Sequence, residues 1–157
     1  AQAQTNIGMM YLRGEGVLQD DTKAAKWLET AAYKGRALAQ ANMGLMYAKG
    51  RGVRQNYEKA ADYFASAAQQ GNSRAQYKLA MMYEHGRGVP KDDVYAYLWY
   101  GAAAASGHEG AGRQQEFVAK GMAPSQMTRA RQIAEQRSGR VCIGQEWPID
   151  WKFATDR

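Results

Sequence analysis

The sequence predicts an all-α fold, a solenoid of stacked antiparallel helix pairs, from two observations. When the chain is compared with itself at an offset of 36 residues, eleven of the 36 positions are identical in all three copies. Within each copy, apolar residues recur at the spacing of a helix, and glycines stand where the helices should end. A unit of this size cannot bury both of its helices alone, so neighbouring units must stack.

The first helix of each unit is predicted from its apolar face and from the loop that ends it. In the first unit the face contains Ala3, Ile7, Met10 and Tyr11, with Gly8 at its edge. A Gly-x-Gly-Val segment follows in every unit. Glycine adopts the left-handed conformation of a helix C-cap at little steric cost, so this segment should end the helix.

The second helix is predicted from its N-cap and its small side chains. Asp20, Asn56 and Asp92 can accept hydrogen bonds from the free N–H groups of a first helical turn. The small residues of the apolar stripe let helices approach closely, while Tyr11 and Trp27 supply bulk between them. In the first unit this stripe consists of Ala24, Ala25, Leu28, Ala31 and Ala32.

The repeat also gives the organisation of the chain. Residues 1–122 form the predicted solenoid, with units 3–38, 39–74 and 75–110 and a partial unit 111–122. Residues 123–139 are predicted as a C-terminal capping helix that opens at Pro124-Ser125. Residues 140–157 are too aromatic for a disordered tail, and we expect them to pack on the cap, with an interaction tail as the alternative; they contain Trp147, Trp151 and Phe153.

The order of these signals resembles the SEL-one-like repeat (SLR) family. The shared pattern runs from Ala through Tyr and Gly-x-Gly-Val to Asp or Asn, Lys-Ala-Ala, an aromatic residue, Ala-Ala and Gly, over residues 1 to about 112. Tetratricopeptide repeats are related, but their period is about 34 residues and they lack this loop. The resemblance implies a right-handed superhelix that acts as a protein-interaction scaffold. Members of the family occur in bacterial envelope assembly, secretion and toxin immunity.

Composition argues against catalysis. The chain has one cysteine, Cys142, and two histidines, His85 and His108, and no motif of a nucleophile, phosphate loop or zinc protease occurs. We therefore predict no enzymatic activity, no cofactor and no metal site. The net charge of +6 and the pI of about 9.5 favour acidic or polyanionic partners.

A partner-binding surface is predicted on the side of each first helix that faces away from its apolar face. At 100° per residue this side, which we call the groove face, lines the concave groove of a helical solenoid. It contains no acidic residue, carries four permanent positive charges, and has a row of Met9, Leu45 and Met81. Its members are Gln2, Thr5, Asn6, Met9 and Arg13; Leu38, Ala41, Asn42, Leu45 and Lys49; and Arg74, Tyr77, Lys78, Met81 and His85.

Two functions fit this face, and the alternative to both is a solvent-facing helix surface whose charges are incidental. The first is a non-catalytic scaffold that binds an acidic, partly apolar segment of a partner protein, with Arg13, Lys49, Tyr77 and Lys78 as contacts. In its specific form, which follows from the resemblance, it is a periplasmic or envelope adaptor of a bacterium, or an immunity protein that neutralises a secreted toxin or effector. The alternative is a helical repeat protein that binds single-stranded nucleic acid, although one aromatic residue is few for base stacking.

Neither compartment nor oligomeric state follows from these residues. The chain contains no run of apolar residues long enough for a transmembrane helix, so no membrane insertion is predicted, and a cytoplasmic location stays open. Ala1 lies inside the first predicted helix without an initiator methionine, and we expect the chain to be trimmed or processed.

Overall fold

The computed structural model describes residues 1–138, and within them it contains eight α-helices and no strand. The predicted all-α helical repeat solenoid is thereby confirmed. None of the helices in this part of the chain is long and apolar enough to cross a membrane. The helices are α1 (Gln2–Arg13), α2 (Asp21–Tyr33), α3 (Ala37–Lys49), α4 (Tyr57–Gln69), α5 (Ser73–His85), α6 (Asp93–Ala105), α7 (Ala111–Gly121) and α8 (Pro124–Ser138).

The helix ends follow the predicted caps. The glycines after α1, α3 and α5 have φ between 63° and 70°, which is the left-handed conformation that ends a helix. Asp20 and Asn56 each accept a hydrogen bond of 2.9 Å from the backbone N–H three residues later, and Asp92 accepts from two N–H groups. The loop and cap residues therefore fix where each helix begins and ends.

The core contains most of the predicted stripe of every second helix, but the first helix of the first unit differs from those of the other two. All five stripe residues of α2 and of α4 are buried, whereas Tyr97 and Ala104 of α6 are half-buried. The equivalents of the α1 face are buried in α3 and α5, apart from the half-buried Tyr47. In α1, however, Ala3 and Met10 are exposed and Ile7 is only half-buried, so the predicted core face is wrong for this helix. Residues of α2 cover the equivalent face of α3, whereas no helix pair within residues 1–138 precedes α1.

Adjacent units are joined by polar contacts as well as by apolar packing. Arg51 donates two hydrogen bonds to Asp21, at 3.0 and 2.6 Å, and its guanidinium group lowers the pKa of that carboxyl. In the next unit the equivalent Arg87 lies over the ring of Tyr57, at 6.0 Å from the centroid. The loops after α3 and α5 thus contact the beginning of the preceding second helix.

The last two helices pack on α6. Ala130 of α8 is buried with Val94 and Leu98 of α6, and Met122 and Ile133 pack against this cluster. The predicted division into partial unit and capping helix stays a prediction. The aromatic segment 140–157 and Cys142 lie outside the described residues.

Buried tyrosines make the stability of the fold sensitive to alkaline pH. Burial raises the pKa of Tyr83 from 10.0 to about 12, so the folded chain keeps a proton that the unfolded chain loses at about pH 10. We expect the free energy of unfolding to fall as the pH rises from about 10 to about 12, with Tyr83 contributing up to about 1 kcal/mol. Urea denaturation of the parent and of Tyr83→Phe at pH of about 9 and 11 tests this. An equal loss in both proteins would contradict the assignment to Tyr83.

Candidate partner-binding groove

The groove face is only partly accessible in the structure. Of its fifteen predicted members, the exposed ones are Gln2, Asn6, Arg13, Leu38, Lys49, Arg74 and His85. Five are half-buried, namely Met9, Leu45, Tyr77, Lys78 and Met81. The remaining three are buried, namely Thr5, Ala41 and Asn42. The buried members therefore form the floor of the face, and all of its exposed members except Leu38 are polar or charged.

Two polar members of the groove face are turned back onto their own helices. The hydroxyl of Thr5 donates to the carbonyl oxygen of Ala1 at 3.1 Å, and the Asn42 side-chain amide donates to that of Leu38 at 2.8 Å. Only 1% of Thr5 and 8% of Asn42 is exposed. Helical phase alone places both residues on the face, but it does not show that their short side chains bond to the preceding turn. Their main contribution is to the floor.

The apolar row keeps the position that the spacing indicates. Met9, Leu45 and Met81 are all half-buried, and each packs against the edge of a core cluster while part of it remains accessible. Methionine adapts its shape to different contacts, and leucine adds a branched apolar surface. These three side chains, one at the same position of each unit, are referred to below as the apolar strip.

Three cations of the groove face have no counter-charge within the part of the chain that the structure describes. Among residues 1–138, no ion pair is formed by Lys49, Arg74 or Lys78. Arg13 differs, because its guanidinium group lies 3.6 Å from the carboxylate of Glu15 and both side chains are more than half exposed. The positive charge of the face is thus concentrated in the second and third units.

His85 is an exposed residue at the end of α5. Its Nδ1 lies 2.8 Å from the carbonyl oxygen of Met81. Across residues 1–138, no three His, Cys, Asp or Glu side chains come close enough together to hold a metal ion.

A pocket of about 430 Å³ opens between α3 and the turn that precedes α5. One wall consists of Leu38, Ala41, Asn42 and Leu45, all members of the groove face. The other wall, residues 71–74, contains Arg74 together with Gly71, Asn72 and Ser73, which were not assigned to the groove face from the sequence. These three residues lie between α4 and the first turn of α5 rather than on α3, so the periodicity of α3 could not identify them.

The aromatic member of the face is packed rather than free. The ring of Tyr77 stacks on His108, with centroids 4.2 Å apart and planes 8° apart, and meets the edge of Tyr100 at 5.3 Å. Tyr100 in turn donates a hydrogen bond of 2.5 Å to Glu84, and Gln114 of α7 also bonds to this carboxylate. Burial, followed by this hydrogen bond, raises the pKa of Tyr100. Sequence reasoning missed this cluster, which fixes the position of Tyr77.

The family model described as Sel1 repeat matches residues 1–35, 37–72 and 73–108. No curated protein matches the chain.

Two solved structures resemble the fold closely. A Sel1 repeat protein from Oxalobacter formigenes is 36% identical, with a TM-score of 0.69, over 70% of this chain and 45% of its own. The protein c5321, a protective antigen present in uropathogenic Escherichia coli strains that displays an SLR fold, is 39% identical, with a TM-score of 0.67, over 68% of this chain and 23% of its own. The match thus spans less than half of either structure.

Proposed function

The chain belongs to the Sel1 repeat family, whose members generally act as protein–protein interaction scaffolds, and from this premise we propose that its groove face binds an acidic, partly apolar segment of one partner protein. The observation that carries the proposal is the combination of an accessible apolar strip with Lys49, Arg74 and Lys78, three cations that form no ion pair within residues 1–138. An interface needs apolar area for affinity and complementary charge for specificity, and this face offers both.

The specific role that we propose is that of a bacterial envelope adaptor or an immunity protein that neutralises a secreted toxin or effector. It is supported by the family and by the bacterial origin of the similar structures. The scaffold acts without catalysis, by covering a surface of its partner. If the captured partner is a toxin or effector whose activity falls when the chain is added, the immunity role is supported. A partner confined to the cytoplasm would contradict the envelope location.

Charge reversal on the face tests the binding proposal. We expect Lys49→Glu combined with Lys78→Glu to weaken partner binding by at least about tenfold, because two attractive contacts become repulsive. The measurement is affinity capture from lysate of the source cell with and without nuclease treatment, followed by titration of the retained protein with both chains.

A matched control variant has the same net charge as the double variant of the groove face. Lys26→Glu with Lys34→Glu makes the same change at exposed positions of the α2 segment, which does not belong to the groove face. If both double variants bind the partner as tightly as the parent, the groove face is not the binding surface. Retention that is lost only on nuclease treatment would favour single-stranded nucleic acid, whose binding should also fall steeply with salt. The stacking of Tyr77 on His108 counts against that alternative, since one face of the ring is occupied.

A further inference from the structure

The pocket beside α3 lies where the repeat carries a small residue. In the third unit, Tyr77 fills the space next to the following turn by stacking on His108. One unit earlier, the equivalent positions are occupied by Ala41 and Asn72, and both residues line the pocket. The space between α3 and the turn before α5 therefore lacks an aromatic ring, whereas Tyr77 fills the equivalent space between α5 and the turn before α7.

Three of the four α3 residues that line the pocket are apolar. Leu38, Ala41 and Leu45 line it beside Asn42, and Leu38 is 46% exposed, although large aliphatic side chains favour burial. The volume of about 430 Å³ lies within the range of small ligand pockets, about 300–1,000 Å³. An aromatic side chain would bury a large area there, at the cost of fixing only two torsion angles.

The charges around the pocket indicate what should flank that side chain. Arg74 lies on the rim without an ion pair to any of residues 1–138. On α5, Lys78 lies about one helical turn, or about 6 Å along the helix axis, beyond Arg74. On α3, Lys49 lies the same distance beyond Leu45. A chain that places a ring in the pocket would therefore run beside two or three cations that have no ion pair in the described part of this protein.

We infer that this pocket receives an aromatic side chain from an acidic segment of the partner protein. The inference rests on the proposed function and adds to it the residue type that anchors the segment. The ring packs between Leu38 and Leu45, as Tyr77 packs beside the equivalent turn one unit later. Carboxylates on either side of the ring reach Arg74 and Lys78.

A matched pair of peptides tests the anchor. Acetylated Gly-Asp-Glu-Phe-Asp-Glu-Gly and the same peptide with alanine in place of phenylalanine, each labelled with a fluorophore, are titrated with the parent chain. We expect the phenylalanine peptide to bind at least about tenfold more tightly, since a buried aromatic anchor contributes much of the affinity of an interface. Equal binding of the two peptides, or no binding of the phenylalanine peptide up to about 1 mM, would overturn the inference.

Two variants link the preference to the pocket. Ala41→Tyr supplies the ring that the next unit has at this position, and we expect it to abolish the preference for phenylalanine. Leu38→Ser removes an exposed part of the wall and should reduce the preference by about threefold or more, with little effect on folding. Circular dichroism verifies the fold of each variant. A full preference in a folded Ala41→Tyr chain, or in Leu38→Ser if the first variant does not fold, would contradict this site.

The same peptides separate this inference from the proposed function. If both peptides bind equally to the parent and both weaken in the variant with Lys49→Glu and Lys78→Glu, the pocket is wrong but the groove face binds acidic segments. If the preference for phenylalanine is present but charge reversal changes neither affinity, the aromatic pocket stands and the proposed electrostatic recognition fails.

Discussion

Replacing Gly52 by alanine is expected to lower the free energy of unfolding by at least about 3 kcal/mol. Gly52 has φ of 67°, which costs about 1–2 kcal/mol for a residue with a Cβ atom. A Cβ atom there would also lie 2.1 Å from the carbonyl oxygen of Asp21, the first residue of α2. Because that atom belongs to the backbone, the clash can be relieved only by moving two units apart. Urea denaturation followed by circular dichroism measures the loss.

Gly35→Ala is the matched control for this effect. Gly35 also has positive φ, at 78°, but a Cβ atom built there meets nothing within 4 Å. The control should therefore cost only the conformational penalty of about 1–2 kcal/mol. If both variants lose the same free energy of unfolding, the close approach of the loop to α2 does not contribute to stability. Gly52 is then not required for the stacking of these two units. Gly88, whose Cβ would lie 2.2 Å from the Tyr57 carbonyl oxygen, should behave like Gly52.

The repeat made the secondary structure predictable. Asp20, Asn56 and Asp92 occupy the same position in three units, and each accepts hydrogen bonds from the first turn of its helix. The position at which a helix begins or ends depends on residues within the same turn, so three copies of one pattern predict that position well. The stripe of small residues in α2 was predictable for the same reason, since it follows helical periodicity.

The contacts between units were not predictable in the same way. Gly52 was identified as a loop residue, but its approach to the backbone of Asp21 depends on how two helix pairs dock. The exposure of Met10 in α1, 37%, has the same origin, because an apolar residue becomes core only where another unit covers it. Periodicity shows which residues share a face and leaves open what lies against that face.

The candidate site combines both situations. Helical phase placed Leu38, Leu45 and Arg74 on one face, and the structure brings them to one pocket. The burial of Thr5 and Asn42 depends on side-chain hydrogen bonds that phase does not report. The pocket itself arises because one repeat position holds Ala41 in the second unit and Tyr77 in the third. Positions at which the repeats differ therefore indicate the pocket, whereas positions at which they are identical do not.

Trp99→Ala is expected to lower the free energy of unfolding by about 3–5 kcal/mol, because it leaves a large cavity in a packed core. Only 2% of Trp99 is exposed, and it belongs to the buried cluster that also contains Leu79 and Val118. The cluster joins α5, α6 and α7, so the cavity weakens two helix boundaries at once. Chemical denaturation followed by far-UV circular dichroism measures the loss.

Trp27 provides a control of the same residue type at the same repeat position, two units earlier. It is 38% exposed, since no helix pair in the described part of the chain packs over it. Trp27→Ala should therefore cost roughly 1 kcal/mol, less than half of the loss at Trp99. If the two variants lose equal free energy, position within the solenoid does not determine the contribution of this tryptophan. A larger loss at Trp99 means that the neighbouring units, rather than the repeat sequence itself, turn this aromatic position into core.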